Sequence, residues 1–175
     1  MQTIILAYPP ESIDSRDVFL PIAATPPAPE PEPPSHQVAT FYRLLVADQR
    51  QQRGSLERCA DLEAAALWKA QDIAEHGYWS HRDSEGVWPN RRARLGGCRL
   101  PSYYADDANY IESLVAGSSN ANVMFAALAS SPSHRTHLLG LNDFYKRQDK
   151  MGVAMASNPD SLYGCYWVIW IAICE

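Results

Sequence analysis

The sequence has no apolar run long enough to cross a membrane as a helix. Its longest, YWVIWIAIC at 166–174, is about half of the roughly 20 residues that a spanning helix needs. Its aromatic and β-branched content reads instead as a buried strand. The chain also lacks a basic excess. Lys and Arg number 15 against 20 Asp and Glu, a net charge of −5. That balance excludes the electrostatic footprint of a nucleic-acid binder and disfavours docking on anionic lipid. The N-terminus, MQTIILAYPP, has no basic n-region, so no signal peptide is read there, although the numbering can begin after a removed one. Cysteine is sparse. Cys59, Cys98, Cys165 and Cys174 contain no C-x-x-C pair, which excludes the zinc-finger patterns. Two disulfides in any of three connectivities, or reduced core thiols, remain open.

Proline is scarce in the body of the chain and crowded at its start. Nine of the 13 prolines lie within residues 1–34, ending in PPAPEPEPP at 26–34. Such a segment cannot form a helix or a central strand and favours an extended path. Residues 1–34 are therefore read as a Pro-rich extended arm or linker, with a protein partner as one candidate contact. Residues 35–175 are read as the folded domain.

Within that domain the periodicity predicts a helix over 36–52, capped by Ser35 and ended by Gly54. Val38, Phe41, Tyr42, Leu44 and Leu45 form its apolar stripe. A second helix is expected over 59–76. Its Ala65, Ala66, Ala70 and Ala74 present a small-residue face suited to close packing, and Gly77 stops it. Residues 78–117 read mostly as loop, with a helical piece near 89–95. A third helix is expected over 120–129, and a short one from Pro132. Two strands, at 150–157 and 162–174, flank the turn former SNPDS and read as a hairpin. Helices around an antiparallel sheet make the fold class α+β.

Three polar residues stand out in apolar settings: His81 after GYWS, Glu112 in YIESLVAG, and His134 in SSPSHRTHLL. Two imidazoles and a carboxylate form a common zinc donor set, since borderline-soft zinc takes nitrogen and oxygen ligands. The same groups could equally serve as an acid–base pair. His137 lies three residues beyond His134 and is expected to be a surface residue of the short helix. His36 and His76 are expected to be bystanders too.

The segment LEAAALWKAQDIAEHGYWSH, 62–81, resembles the helix-and-loop motif of the CAP superfamily (cysteine-rich secretory, antigen 5 and pathogenesis-related-1 proteins) in its bacterial SCP-like form. Leu62, Ala65, Ala66, Ala70, Gly77, Tyr78, Trp79, Ser80 and His81 match that pattern. Arg50 and Gly54 fit the first-helix motif, with Ala47 in place of its asparagine. Gly86, Pro89, Arg92 and Gly97 keep the loop spacing. IESLVAG at 111–117 stands where the family reads G-E-N-I-A-A-G. Glu112 and Gly117 are kept there, while Ile111 and Ser113 depart. Ser131, Pro132, His134 and Arg135 fit S-P-G-H-R, with Ser133 for the glycine. Leu128 replaces a common tryptophan, and Ala154 replaces the second glycine of the I-G-V-G strand.

The resemblance implies a three-layer α-β-α sandwich with an antiparallel sheet. It also implies a cavity lined by His81, Glu112 and His134, with zinc or another divalent cation as the candidate ligand. It points to an extracellular or cell-surface protein, where disulfides are expected. The leading functional expectation is a binding module whose surface meets lipid, glycan or protein. The alternative is a structural or decoration subunit of an extracellular assembly, docked through the Pro-rich arm. A metal-assisted hydrolase, with Glu112 as base, ranks behind both. No nucleophile or oxyanion donor is identifiable from the sequence, so the reading leans away from an enzyme.

Overall fold

The structure, a computed structural model, describes residues 3–7, 20–21 and 34–175. The proline run at 26–33 lies outside the described residues, and so does most of the arm read from the sequence. Two short strands from the arm are described: β1 (Thr3–Ala7) and β2 (Leu20–Pro21). The domain follows as α1 (Pro34–Ala47), β3 (Glu57–Arg58), α2 (Ala60–His76), α3 (Pro89–Leu95) and β4 (Glu112–Ala116). It closes with α4 (Ala121–Ser130), α5 (Pro132–Leu139), α6 (Asp143–Lys146), β5 (Lys150–Ser157) and β6 (Cys165–Ala172).

The strands form one sheet in the order β2-β1-β4-β6-β5-β3. β6 lies at its centre and pairs antiparallel with both β4 and β5. All eight residues of β6 are buried, and their alternation builds both sides of the sheet. Trp167, Ile169 and Ile171 join α1, α4 and α5 in one core through Phe41, Leu45, Met124, Leu128 and Leu138. Tyr166, Val168, Trp170 and Ala172 join α2 in the other, with Leu62, Ala66, Ala70 and Ile73. The result is the expected α-β-α sandwich. One expectation needs correcting: the sheet is mixed, because β3 pairs parallel with β5 at Glu57↔Lys150 and Arg58↔Met151.

α2 approaches the sheet unusually closely. Its buried face is alanine-rich, and opposite it stands Gly152. A Cβ at Gly152 would lie 2.3 Å from the Leu62 carbonyl carbon and 2.5 Å from the Glu63 nitrogen. Helix backbone thus rests directly on strand backbone. α1 is tied to the same strand from the opposite face. The Tyr42 hydroxyl accepts from the Val153 N–H at 2.7 Å and donates to Glu63 at 2.9 Å.

Several boundaries differ from the sequence reading. α1 starts at Pro34, so Ser35 lies within its first turn rather than before it. It stops at Ala47 instead of near 52, because Asp48 diverts the chain: its carboxylate accepts from the Arg50 backbone N–H and guanidinium. β4, in the stretch read mostly as loop, is a fully buried strand. α6 and β3 were not anticipated.

Cysteine chemistry resolves to one disulfide, Cys98–Cys174, with Cys59 and Cys165 free. Two bonds do not form. The bond fastens the loop after α3 to the chain end beyond β6, beside a backbone hydrogen bond from Glu175 N to Arg99 O of 3.0 Å. It closes a loop of 76 residues' separation, for which the chain-entropy account gives about 4 kcal/mol.

Gly152→Ala is expected to cost at least about 3 kcal/mol, since only backbone could yield, lowering the thermal midpoint by roughly 10 °C. A midpoint within a degree or two of the wild type would show that the helix does not rest on this strand. Replacing Cys98 and Cys174 together by serine should match the effect of reductant on the wild type in a denaturation curve.

Candidate functional site

The C-terminal half of α2 carries two buried charges that shape the loop beyond it. Gly77, at φ 67°, ends the helix in the left-handed conformation and turns the chain back over its last turns. Lys69 Nζ then donates to the backbone carbonyls of Ser80 and His81, each at 3.1 Å, and to Tyr78 Oη at 3.0 Å. Asp72 accepts from Tyr78 Oη and Ser84 Oγ at 2.5 Å and from Ser84 N at 3.0 Å. Burial pushes the Lys69 pKa down, opposed by the carboxylates of Glu112, Asp83 and Asp72. Burial also works against the Asp72 charge, but the Ser84 and Tyr78 hydrogen bonds outweigh it and hold its pKa below the usual carboxylate value. Further along, Asp83 accepts from Val87 N and Glu85 N. It also receives Arg92 Nε at 2.7 Å, while the Arg92 guanidinium lies 4.0 Å over the Trp68 ring.

This loop delivers His81 to Glu112 at the first position of β4. His81 Nδ1 stands 2.7 Å from Glu112 Oε1. The other carboxylate oxygen accepts from the Trp170 indole N–H at 2.9 Å. Glu112 and Trp170 are directly opposed across β4 and β6, so the pairing register itself aims the indole. The Glu112 side chain is fully buried and that of His81 is 10% exposed. Asn109 frames the pair. Its Oδ1 accepts from Glu112 N at 2.9 Å, and its Nδ2 donates to Glu112 O at 3.1 Å. That same Nδ2 lies 3.0 Å from His81 Nδ1. The ring nitrogen cannot serve both neighbours with one proton. An ionised carboxylate only accepts, so the shorter contact assigns the proton to Nδ1. A carboxylate fixing an imidazole tautomer in this way prepares the opposite nitrogen to bind a metal or take a proton.

His134 lies on α5, in the helical layer across the sheet from α2. Its Nδ1 is 2.8 Å from Ser131 Oγ, and the residue is buried. The structure therefore brings two of the three sequence candidates, His81 and Glu112, into direct contact; the third is carried by α5, and its ring and that of His81 both act on the charge of His137. Among the described residues no three His, Cys, Asp or Glu side chains form a group that could hold a metal ion. Each Glu112 oxygen has one N–H neighbour, His81 Nδ1 on one and the Trp170 indole on the other, so this carboxylate orients His81. Two surface hollows of about 490 and 380 Å³, between α1 and α4 and beside Trp88, are not lined by any of the three.

His137 requires a correction. It is not a surface residue: its exposure is 1%. Its Nδ1 lies 2.7 Å from Ser113 Oγ, its ring packs 5.0 Å from that of Tyr145, and Nε2 meets no hydrogen-bond partner of good geometry among the described residues. Burial drives its pKa well below the ordinary value, reinforced by Arg53 and His134 and opposed by the Ile171 backbone. Arg53 was also unanticipated. It is buried and donates to the carbonyls of His137 and Leu138 at 2.7 Å and of Gln148 at 2.5 Å. It thereby adds charged donors to the last carbonyls of α5, which also receive Gly140 N on His137 O and Gln51 Nε2 on Leu138 O. Burial lowers its pKa to about 10. Neither residue carried a usable signal: Arg53 sits among polar neighbours and His137 between Thr136 and Leu138, and both are buried only by folding. His36 is exposed. The half-exposed His76 faces Asp72 from the next turn of α2.

The layers and the antiparallel centre β4–β6–β5 are those of a CAP/SCP-like fold. No family model and no curated protein matches the chain. Two solved structures share the fold. An outer surface protein of Borrelia burgdorferi superposes with a TM-score of 0.54 at 22% identity, covering 81% of this chain and 89% of that one. An extracellular SCP-domain protein of Bacillus anthracis gives 0.59 at 17% identity, covering 79% of this chain and 41% of that one.

The depressed His137 pKa has a definite sign. The folded state holds the ring neutral while the unfolded chain protonates near the ordinary value of 6.5. Its contribution to stability is thus fully present above that pH and is lost as pH falls below it. Unfolding free energy should decline below pH 6.5 with a slope of at most about 1.4 kcal/mol per unit from this group. His137→Gln should flatten the curve; an unchanged slope would assign it to other groups.

Proposed function

We propose that this chain is an extracellular CAP-like binding module whose polar site is His81, oriented by Glu112, with His134 as a second nitrogen donor. The observation that carries this reading is the buried His81–Glu112 hydrogen bond, backed by Trp170 and Asn109. A buried carboxylate held by two N–H donors stabilises one ring orientation, which is the preparation a ligand-binding imidazole needs. Lys69 supports the same end by fixing the backbone on either side of the Ser80–His81 peptide. The external location is supported by the disulfide, which persists in oxidising compartments, and by the fold shared with an extracellular and an outer-surface protein.

Zinc is the ion the two imidazoles suit best, being borderline-soft and at home with nitrogen ligands. In this reading His81, through Nε2, and His134 would hold it, and Glu112 would raise the basicity of His81 without ligating. Bound zinc would supply a Lewis acid; the chain's own groups hold the ring tautomer and exclude water from the carboxylate. Binding, not turnover, is the activity proposed. The partner surface is a glycan, lipid or protein.

Zinc titration of the purified protein by calorimetry, at neutral pH, tests this. One ion per chain is expected. His81→Ala and His134→Ala should each abolish measurable uptake, and Glu112→Gln should weaken it 10- to 100-fold. Wild-type protein that takes up no zinc would remove the metal reading. Uptake that survives both histidine replacements would move the site elsewhere.

A further inference from the structure

The sheet edge at β4 points to an interaction that does not involve the histidine site. β4 is buried along all five residues, and β6 occupies one side of it. Its other side is covered by β1, paired antiparallel at Ile5↔Ala116, Leu6↔Val115 and Ala7↔Leu114. Beyond β1, among the described residues, the sheet continues with the two residues of β2, which pair with β1 itself. A single five-residue strand, TIILA, thus completes the hydrogen bonding of a buried strand. Without it β4 would present a bare apolar edge, the feature that templates pairing with another chain.

The covering strand is joined to α1 by residues 8–33, of which eight are proline. Closed and exchanged arrangements would use the same β1–β4 contacts, so their balance depends on tether and concentration rather than on any new interaction. We propose that β1 is an exchangeable strand: Thr3–Ala7 of one copy fills the β4 edge of a second copy of this chain and links the two. The register supplies the specificity, because a slip of one residue would turn the apolar set to the other face. The proposal rests on strand pairing alone and stands or falls separately from zinc binding.

Two full-length variants test it in a Cys59→Ser background, one carrying Ile5→Cys and the other Ala116→Cys. They are mixed, oxidised and read on a non-reducing gel. A mixed covalent dimer, doubling the 19.5 kDa mass, is expected, with a yield that falls on tenfold dilution before oxidation. Adding Leu6→Pro to the first variant should cut that yield at least tenfold, since proline cannot serve the ladder. The absence of mixed dimer at every concentration would overturn exchange. In that case Ile5→Cys and Ala116→Cys in one chain would close only upon themselves. A mixed dimer undiminished by Leu6→Pro would equally overturn strand pairing as its cause.

Discussion

The contact of helix backbone with strand backbone at Gly152 is the constraint from which the rest of the structure follows. A side chain there would meet the Leu62 carbonyl and the Glu63 amide, so the distance between α2 and the sheet depends on its absence. The alanines of α2 extend the same close approach along the helix. In the strand pairing, Gly152 stands opposite Trp170, and Trp170 stands opposite Glu112. One row across three strands thus runs from the glycine that seats the helix, through the indole, to the carboxylate of the site. Further along, α2 reaches the site again through Lys69 and Asp72, which shape the loop that carries His81.

The two faces of β4 engage two histidines in different ways. Glu112 and Ser113 are neighbours in sequence and point to opposite sides of the sheet. Glu112 engages His81 on the α2 side, where its carboxylate also accepts from the Trp170 indole and its backbone is held by Asn109. Ser113 engages His137 on the α5 side, where burial and the Arg53 guanidinium hold the ring neutral. The first arrangement orients a ring that is still partly exposed. The second buries a ring completely and makes its neutrality a condition of the fold. Two imidazoles three residues apart on α5 therefore play different parts, and their spacing says nothing about a shared ligand.

Much of the architecture was legible where one physical signal dominated. The alanine stripe and Gly77 marked α2 and its end, and the apolar strands around SNPDS marked the hairpin. The ordered motifs around His81, Glu112 and His134 marked the fold. β4 escaped because both of its faces are buried, which erases the polar–apolar alternation that betrays a half-exposed strand. α1 was read too long because Asp48 closes a local turn that competes with helix. The burial of Arg53 and His137 had no periodic signature, since each is covered by segments distant in the chain. The disulfide could not be chosen from spacing, because its partners meet only when the loop after α3 folds against the end of β6.

The sequence by itself determined the types of the longer helices and of the C-terminal hairpin, the α+β class and which polar residues were candidates, because these depend on local periodicity, turn chemistry and short motifs. Tertiary structure alone decided which residues face one another: His81 with Glu112, Trp170 with its other oxygen, Ser113 with His137, and Cys98 with Cys174. The reason is physical. Pairing across strands and layers depends on register and on the closeness of α2 to β5, and both are properties of the packed chain rather than of any segment of it.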